Sequence, residues 1–426
     1  MVAMETITLE LTGIAHGGQA FGRHEGKIVF VPYALPGETC RVRIADERKK
    51  WARAELVEVL TPSPDRIDPP CPYFGPKRCG GCHWQHITYE RQLALKREVV
   101  VDQIQRLGHL VDPPVQPVMP VGEPWAYRNH AQFAVGQDGT LGFYRAGSHD
   151  VISVDQCLLL HPLVSELRDA VDLGDDAADV VGWLSRISLR AGVRTGQQMI
   201  TFEVTTDELP ELEVSMPVSC ACQTADGRVH PLIGPPHIEE EVAGHRYRIS
   251  AGSFFQVNTP GAEALVNQVR AYLQPEQGET LLDIYCGVGL FGLALSSEVG
   301  RVIGIEASPT ACEDFAWNAR KLAPEQVELH EGPAEEVLPV LHEPVDLVVV
   351  DPPRSGVGEE AIRHIARLGP RRLAYVSCDP ATLARDVEHL QRHGYTLVEV
   401  QPIDLFPQTF HIETVSLWVR QENRSA

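Results

Sequence analysis

One cysteine, Cys378, lies where a predicted strand gives way to a predicted helix. The strand is RLAYVSC (372–378), and the helix begins within DPATLARD (379–386). The partial positive charge at a helix N-terminus stabilises a nearby thiolate, which is the nucleophilic form of cysteine. A buried structural cysteine is the ordinary alternative for any single cysteine. The position at a strand end, before a helix, favours covalent catalysis.

A proline-stiffened loop follows another predicted strand, VDLVVVD (345–351). Its sequence is Asp351-Pro352-Pro353-Arg354-Ser355-Gly356. Two consecutive prolines restrict the backbone, so the loop can hold Asp351 and the Arg354 region against a ligand. An enzyme that transfers a methyl group to a planar base must hold the flipped base beside the methyl donor. A hydride-transfer enzyme has no need of this loop.

A glycine-rich turn, DIYCGVGLFG (283–292), follows the predicted strand LLDIY (281–285) and contains the spacing G-x-G-x-x-G. The next predicted strand, RVIGIE (301–306), ends at Glu306, whose carboxylate can accept hydrogen bonds from both hydroxyls of a ribose. This pattern fits a dinucleotide or S-adenosylmethionine, and a purely structural turn is a third possibility.

Four cysteines could supply thiolate ligands to a metal site: Cys71, Cys79, Cys82 and Cys157. Four thiolates suit structural zinc or an iron–sulfur cluster. Ten cysteines in 426 residues are too dilute for a disulfide scaffold. Cys220 and Cys222 form a C-x-C pair in a predicted strand, which is a weak ligand signal, and we interpret them as incidental.

Strands and helices alternate after about residue 250, which predicts a doubly wound parallel sheet. A helix is predicted from Thr259, with Pro260 at its first turn. The strands are near-continuous β-branched runs, the third of them being 327–332, after 281–285 and 301–306. Folds of this kind bind ligands beyond the carboxyl ends of their strands, where the residues above are expected to lie.

The first 250 residues have a different pattern. Short strands separated by turns over 1–60 predict a small antiparallel barrel. A proline-rich linker, TPSPDRIDPP, follows. Residues 61–250 form a mixed central domain, which includes a predicted helix at 89–107 and a hairpin at 188–204. The predicted catalytic domain then spans 251–426.

The net charge of −21 does not by itself suggest a nucleic-acid partner. Residues 1–60, however, contain eight basic and eight acidic residues, so all of the excess acid lies further along the chain. The run Arg48-Lys49-Lys50-Trp51-Ala52-Arg53 could hold RNA by phosphate contacts and stacking, or could be a solvated surface. Composition is that of a globular protein, with 43% apolar and 22% charged residues.

We expect a cytoplasmic protein with no membrane segment. Glu5 and Glu10 occupy the region where a signal peptide carries basic residues, and no apolar run approaches the length of a membrane span. Nothing in the sequence indicates an obligate protein partner.

Four motifs together resemble the RNA 5-methyluridine methyltransferase family: DIYCGVG, DPPRSG, SCDPATLARD and DLFPQTFHIETV (404–415). They lie in the family's order within 251–426. The barrel resembles the TRAM RNA-binding domain, and the four cysteines resemble the family's [4Fe-4S] site. The resemblance implies an α/β protein with a C-terminal Rossmann-like methyltransferase domain. Barrel and cysteines point to the branch that modifies 23S ribosomal RNA rather than transfer RNA.

The resemblance also implies roles for single residues. Cys378 would be the nucleophile and Glu413 the base. A thiolate that adds to carbon 6 of uracil makes carbon 5 nucleophilic towards the methyl group of S-adenosylmethionine, and a base then removes the carbon-5 proton. The residues that fit binding of the cofactor or the base are Gln256, Tyr285, Glu306 and Asp351. Cys71, Cys79, Cys82 and Cys157 would be the ligands of the metal site, and the resemblance favours an iron–sulfur cluster over zinc there.

Two positions depart from the family pattern, and two other functions remain possible. Leu290 occupies a position that is polar in many relatives, and Pro333 one that often carries an acidic or amide side chain, so neither is assigned a cofactor contact. An NAD-dependent oxidoreductase would explain the glycines and Glu306 but not DPPRSG or SCDPATLARD. A non-catalytic RNA-binding module would explain the barrel but not the reactive cysteine.

Overall fold

The computed structural model describes residues 6–171, 181–207, 209, 214–322 and 325–421. Within these ranges no helix combines the length and the apolar composition that crossing a bilayer would require. Three sheets and one closed barrel account for nearly all of the strands.

The N-terminal strands close into a five-stranded barrel in the order β1-β2-β3-β5-β4, as the turn pattern predicted. Side chains of β1 alternate between solvent and the barrel interior, where Ile7, Leu9 and Leu11 are buried. Strands β3 and β5 pair in parallel, and the other neighbours are antiparallel. The strands are β1 Thr6–Ile14, β2 Ala20–His24, β3 Lys27–Val31, β4 Thr39–Glu47 and β5 Trp51–Thr61.

The middle of the chain forms a seven-stranded sheet in the order β13-β12-β11-β10-β7-β8-β9. The predicted hairpin is its centre, β10 paired antiparallel with β11. Cys220 and Cys222 are fully buried in this sheet. Its elements are β7 His130–Val135, β8 Leu141–Tyr144, β9 Val151–Ser153, α2 Pro162–Ala170, β10 Leu184–Ala191, β11 Gln198–Val204, β12 Ser219–Gln223 and β13 Val229–Ile233.

The C-terminal sheet has eight strands in the order β18-β17-β16-β19-β20-β22-β21-β6. Its first five strands are parallel and alternate with helices, which confirms the predicted doubly wound fold. Its elements are β6 Met119–Pro120, α3 Thr259–Leu273, β16 Thr280–Ile284, β17 Arg301–Glu306, α4 Pro309–Leu322, β18 Val327–Glu331, α5 Ala334–Val337, β19 Leu347–Val350, α6 Glu359–Leu368, β20 Arg372–Ser377, α7 Pro380–Arg392, β21 Tyr395–Asp404 and β22 Glu413–Arg420.

Segments from the middle of the chain also pack on this sheet. Helix α1 (Tyr89–Leu107), which has the predicted bounds, buries Val100 and Ile104 in the same core as Leu383 and Val387 of α7. The two-stranded hairpin β14 (His237–Val242) and β15 (His245–Ser250) lies against α4. The domain boundaries at 60 and 250 remain predictions. Residues on both sides of each boundary contribute to a common hydrophobic core.

Candidate active site

The turn after β16 has the backbone geometry of a ligand cradle. Gly289 has φ +97°, and an added Cβ would lie 2.4 Å from Leu293 Cδ1, so no other residue fits there. Tyr285 also adopts a left-handed φ of +62°, which is uncommon for a residue with a side chain. The Gly292 amide donates to Asp283 Oδ2 at 2.7 Å and ties the turn to the strand. The glycines therefore bring the backbone close to whatever lies beyond β16.

Glu306, the last residue of β17, is fixed by three main-chain amides. Its carboxylate accepts hydrogen bonds from Gly287 N at 2.8 Å, Ala307 N at 2.8 Å and Ser308 N at 2.7 Å. Two carboxylate oxygens can accept about four hydrogen bonds, so capacity remains for a hydroxyl donor. Glu306 is thus oriented towards the glycine turn, as a ribose-binding carboxylate requires.

Tyr285 and the two departures from the family pattern lie near the same edge. The Tyr285 hydroxyl donates to Glu335 Oε1 at 3.3 Å, and burial raises the pKa of this phenol. Leu290 is buried in the core, and Pro333 precedes the first turn of α5. Leu290 therefore has a packing role that its apolar side chain suits, whereas Pro333 is exposed.

The loop after β19 packs on the start of α7. An added Cβ on Gly356 (φ +86°) would lie 2.1 Å from Thr382 Cγ2, and the Thr382 hydroxyl donates to the Arg354 carbonyl at 3.0 Å. The Val357 amide donates to Asp386 Oδ2 at 3.0 Å. DPPRSG and SCDPATLARD are therefore parts of one packed unit, although the motifs are separate in the sequence.

Cys378 follows β20 directly and precedes α7. Burial, Glu413 and Asp351 raise the pKa of its thiol to about 11, and only Arg354 opposes them. Burial and these carboxyl groups oppose the expected effect of the helix dipole, which would favour the thiolate. The first free amides of α7 donate to the carboxylate of Asp379, with Ala381 N at 2.8 Å, and not to the sulfur. The thiol must therefore lose a proton before it can act as a nucleophile.

Two carboxyl groups, the buried one of Glu413 and the half-buried one of Asp351, face this cysteine. Glu413 begins β22, which pairs antiparallel with β20 so that Ser377 lies opposite Thr414. Only 3% of Glu413 is exposed, and burial followed by the charge of Asp351 raises its pKa well above the usual value. Burial also raises the pKa of Asp351, to about 7. Both carboxyl groups are thus biased towards their neutral forms, and the structure brings Cys378, Asp351 and Glu413 together at one edge of the sheet.

Gln256 lies on the loop that precedes α3, and two residues that the sequence did not single out hold this loop. Asn129 Nδ2 donates to the Gln256 carbonyl at 3.1 Å. The buried carboxylate of Asp314 accepts from both the amide and the hydroxyl of Ser250, each at 2.7 Å, and from Ser253 Oγ at 2.7 Å. Neither residue belongs to a motif, so only its buried polar contacts identify it.

The four candidate cysteine ligands form a second group. All four line a cavity of about 910 Å³, together with the barrel loop 17–19 and Phe410. Burial raises the pKa of Cys79, and raises that of Cys82 to about 12, and the other cysteines of the group raise both further. In the described part of the chain, no three His, Cys, Asp or Glu side chains are grouped tightly enough to hold one metal ion. The cysteines thus share a cavity without forming a closed single-ion site.

The basic barrel residues are mostly paired with acids. Arg41 and Arg43 contact Glu58 and Glu55 across β4 and β5, and Arg48 lies 3.3 Å from Asp46. Lys49 and Lys50 are exposed, and the described residues offer neither of them a carboxylate within 4.0 Å. Among the described residues Arg53 is also exposed without such a partner and lies over the Trp51 ring, so Lys49, Lys50 and Arg53 are the cations of the run that can meet phosphates.

Phe254, on the same loop as Gln256, was also missed by the sequence analysis. Its ring is 72% exposed and lines the 910 Å³ cavity beside Phe410. An exposed aromatic ring in a cavity is a stacking surface for a nucleobase.

Comparison with known proteins identifies two regions of the chain. Residues 238–421 match the profile of the tRNA (Uracil-5-)-methyltransferase family, and residues 4–57 match that of the TRAM domain. An uncharacterized RNA methyltransferase of Streptomyces coelicolor is 40% identical, over 97% of this chain and 92% of its own length. One from Thermosynechococcus vestitus is 36% identical, over 97% of both chains.

A solved structure resembles nearly the whole chain. It is the tRNA (uracil-54, C5)-methyltransferase of Pyrococcus abyssi in complex with S-adenosyl-L-homocysteine. The identity is 26% and the TM-score 0.76, over 97% of this chain and 100% of that chain.

Proposed function

Because the chain belongs to the RNA uracil-5-methyltransferase family, we propose that it methylates carbon 5 of a uridine in structured RNA through a covalent bond between Cys378 Sγ and carbon 6 of the base. The observation that carries this proposal is the convergence of Cys378, Asp351 and Glu413 beside the cofactor turn. Family membership also removes the oxidoreductase and the non-catalytic RNA-binding module as alternatives.

The cofactor fits the turn that the structure presents. Glu306 would accept hydrogen bonds from its ribose. The resemblance assigns Tyr285, Gln256 and Asp351 to binding of the same cofactor or of the base. S-adenosylmethionine supplies an electrophilic methyl group there. The residues of the chain do the rest, which is to bind and orient the uracil and to move its protons.

The thiol of Cys378 first loses its proton to solvent, and its sulfur forms a bond to carbon 6 of the flipped uracil. The electron pair of the 5,6 double bond moves into an enolate, and carbon 5 then takes the methyl group, with S-adenosylhomocysteine as the leaving group. Glu413, whose raised pKa favours the neutral form, must be ionised for the next step, in which its carboxylate removes the proton from carbon 5. The double bond re-forms as the bond to Cys378 Sγ breaks, which restores the thiolate. The nucleophile and the base thus lie on β20–α7 and β22, two neighbouring strand ends.

Two kinds of RNA are candidates for the substrate. The TRAM barrel and the cysteine group support 23S ribosomal RNA by resemblance. The full-length similarity to the Pyrococcus abyssi enzyme supports uridine 54 of transfer RNA. Methyl transfer from labelled S-adenosylmethionine to transcripts of each RNA tests the proposal. We expect one of them to gain 5-methyluridine, and incorporation into neither would contradict it.

We propose a [4Fe-4S] cluster at Cys71, Cys79, Cys82 and Cys157. The donor set fits, since four cysteines line one cavity. Four sulfurs that bind one zinc ion lie about 3.8 Å apart, as a tetrahedron with bonds of about 2.3 Å requires. In a cluster each sulfur binds a different iron, so a cluster tolerates wider spacing than zinc does. The site would hold the central region together rather than take part in methyl transfer.

Protein purified without oxygen is expected to be brown, with about four iron atoms per chain and broad visible absorption near 400 nm. Replacing Cys82 with serine should remove the colour, while Cys220→Ser, in the core of the central sheet, should keep it. A colourless protein with one zinc ion per chain would contradict the cluster.

The barrel is proposed to hold RNA by phosphate contacts. Replacing Lys49 and Lys50 with alanine should lower RNA affinity and reduce the slope of log K against log salt by about two, because each lysine releases about one counterion. Filter-binding titrations at several salt concentrations measure this slope. Lys27→Ala is the matched control, since Lys27 on the same barrel is already paired with Glu47. An unchanged slope in the double variant would remove the barrel from RNA binding.

We also propose that the protein acts in the cytoplasm, where its RNA substrates are made.

A further inference from the structure

The loop that connects β21 to β22 ends immediately before Glu413. We call residues 405–412 the β21–β22 loop. At its base, Ile403 lies opposite Glu413 in the sheet, so strand pairing fixes both ends of the loop. Strand pairing does not fix the loop itself, which must be held by contacts with other parts of the chain.

The tip of this loop is held by a reciprocal pair of amide hydrogen bonds. Gln92 Nε2 donates to Gln408 Oε1 at 3.0 Å, and Gln408 N donates to Gln92 Oε1 at 3.0 Å, although the two residues are 316 positions apart. Gln92 Nε2 also donates to the carbonyls of Trp84 and Ile87, at 3.1 and 3.0 Å. The side chain of Gln92 is fully buried, so all of its hydrogen-bonding groups depend on these partners.

Gln408 adopts a strained backbone conformation at the same point. Its φ is +67°, in the left-handed region that residues with a side chain rarely occupy. Its carbonyl accepts hydrogen bonds from His83 N and Trp84 N, both at 3.0 Å. Four hydrogen bonds from or to segment 83–92 thus hold one strained residue, which is the pattern expected where a loop must keep a single conformation for function.

A second anchor holds the beginning of the loop. Lys96 is fully buried, and its ammonium lies 2.6 Å from Asp404 Oδ1 and 3.0 Å from the Phe406 carbonyl. At the other end, the ring of Phe410 lies 4.4 Å from that of His83, centre to centre. The β21–β22 loop is therefore attached along its whole length to the segment that follows Cys82.

We infer that Gln92 and Gln408 are positioning residues, which hold the β21–β22 loop so that Glu413 faces carbon 5 of the bound uracil. The inference rests on the proposed role of Glu413 as the base. Neither glutamine lies among the reacting groups, and their effect passes through the loop. Proton removal should therefore depend on the glutamine pair more than formation of the Cys378 adduct does, because Cys378 is held by β20 and α7 instead.

The test is a single-turnover reaction with the transcript that accepts methyl groups and with methyl-labelled S-adenosylmethionine. Gln92→Ala removes both hydrogen bonds of the pair, and Gln408→Gly removes the one between the two side chains. Gln408→Gly keeps the main-chain contacts to His83 and Trp84 and tolerates a φ of +67°, so it should melt close to the wild type. Gln103→Ala is the matched control, because Gln103 is a buried glutamine of the same helix whose hydrogen bond is to the adjacent Asp102.

Both pair variants should accumulate methylated covalent enzyme–RNA adduct with ordinary uridine, about tenfold or more above the wild type, while adduct formation keeps its rate. Gln103→Ala should show no accumulation. Glu413→Gln serves as the positive control. If Glu413→Gln traps adduct but a folded Gln408→Gly does not, the positioning role is wrong and the base assignment stands. If Glu413→Gln traps none, the base assignment is wrong and the inference falls with it. Equal loss of adduct and product in the pair variants would show a merely structural role and overturn the inference.

Discussion

Replacing Cys378 with alanine is expected to lower methyl transfer at least about ten-thousandfold, because alanine cannot add to carbon 6 and carbon 5 then stays unreactive. RNA that carries 5-fluorouridine provides the sharper measurement. Carbon 5 of this base has no proton to lose after methylation, so the wild-type enzyme should remain bonded to the RNA and migrate as a complex on a denaturing gel. Cys378→Ala should form no such complex.

Cofactor binding should survive this change, since Glu306 and the glycine turn lie on other strands. S-adenosylhomocysteine titrations measure that. Cys222→Ala, in the central sheet, is the matched control and should form the adduct at the wild-type level. A covalent complex in Cys378→Ala would show that another nucleophile attacks the base.

Replacing Glu413 with glutamine is expected to slow turnover by about a hundredfold to ten-thousandfold, because an amide of the same size cannot accept the carbon-5 proton. Adduct formation should continue, since Cys378 is intact. Ordinary uridine RNA should then be trapped on the enzyme, already methylated. A denaturing gel with methyl-labelled S-adenosylmethionine detects this species, which the wild type should resolve too fast to accumulate.

The control for this variant is Glu399→Gln, which alters a carboxylate on β21 that accepts a hydrogen bond from Tyr272. It should turn over normally and trap no RNA. Slow turnover of Glu413→Gln without trapped adduct would place its role before methyl transfer, for example in removing the thiol proton. The Asp351–Glu413 pair would then act as the base for Cys378.

Much of the catalytic domain follows from the sequence. The predicted strand 301–306 has the bounds that the structure gives, and the others differ by one or two residues at an end. Strands buried on both faces are continuous apolar runs, which makes them visible in a sequence. The helix at 89–107 has the predicted bounds because Thr88 and Gly108 flank an apolar repeat. The barrel was predicted from its turns.

The sequence did not reveal how β22 is inserted. The last strand of the chain lies between β20 and β21, antiparallel to β20, which brings Glu413 beside Cys378. The sequence predicts where strands lie along the chain but not which strands are adjacent in the sheet. Glu413 could therefore be identified as the candidate base only by resemblance. Asn129 and Asp314 belong to no motif, and their importance lies in hydrogen bonds to distant loops.

The sequence alone determined which chemical groups are present: a cysteine at a strand end, a carboxylate for a ribose, four thiols and a glycine turn. Local rules of strand, helix and turn suffice for that, because they depend on neighbours in the chain. Only the tertiary structure decided the environment of those groups, and with it their pKa values and their hydrogen-bond partners. The pKa of Cys378 is raised because burial and two carboxyls from other strands outweigh a helix end whose amides are already bound. The hydrogen bond between Gln92 and Gln408 likewise forms only in the folded chain, since 316 positions separate the two residues in the sequence.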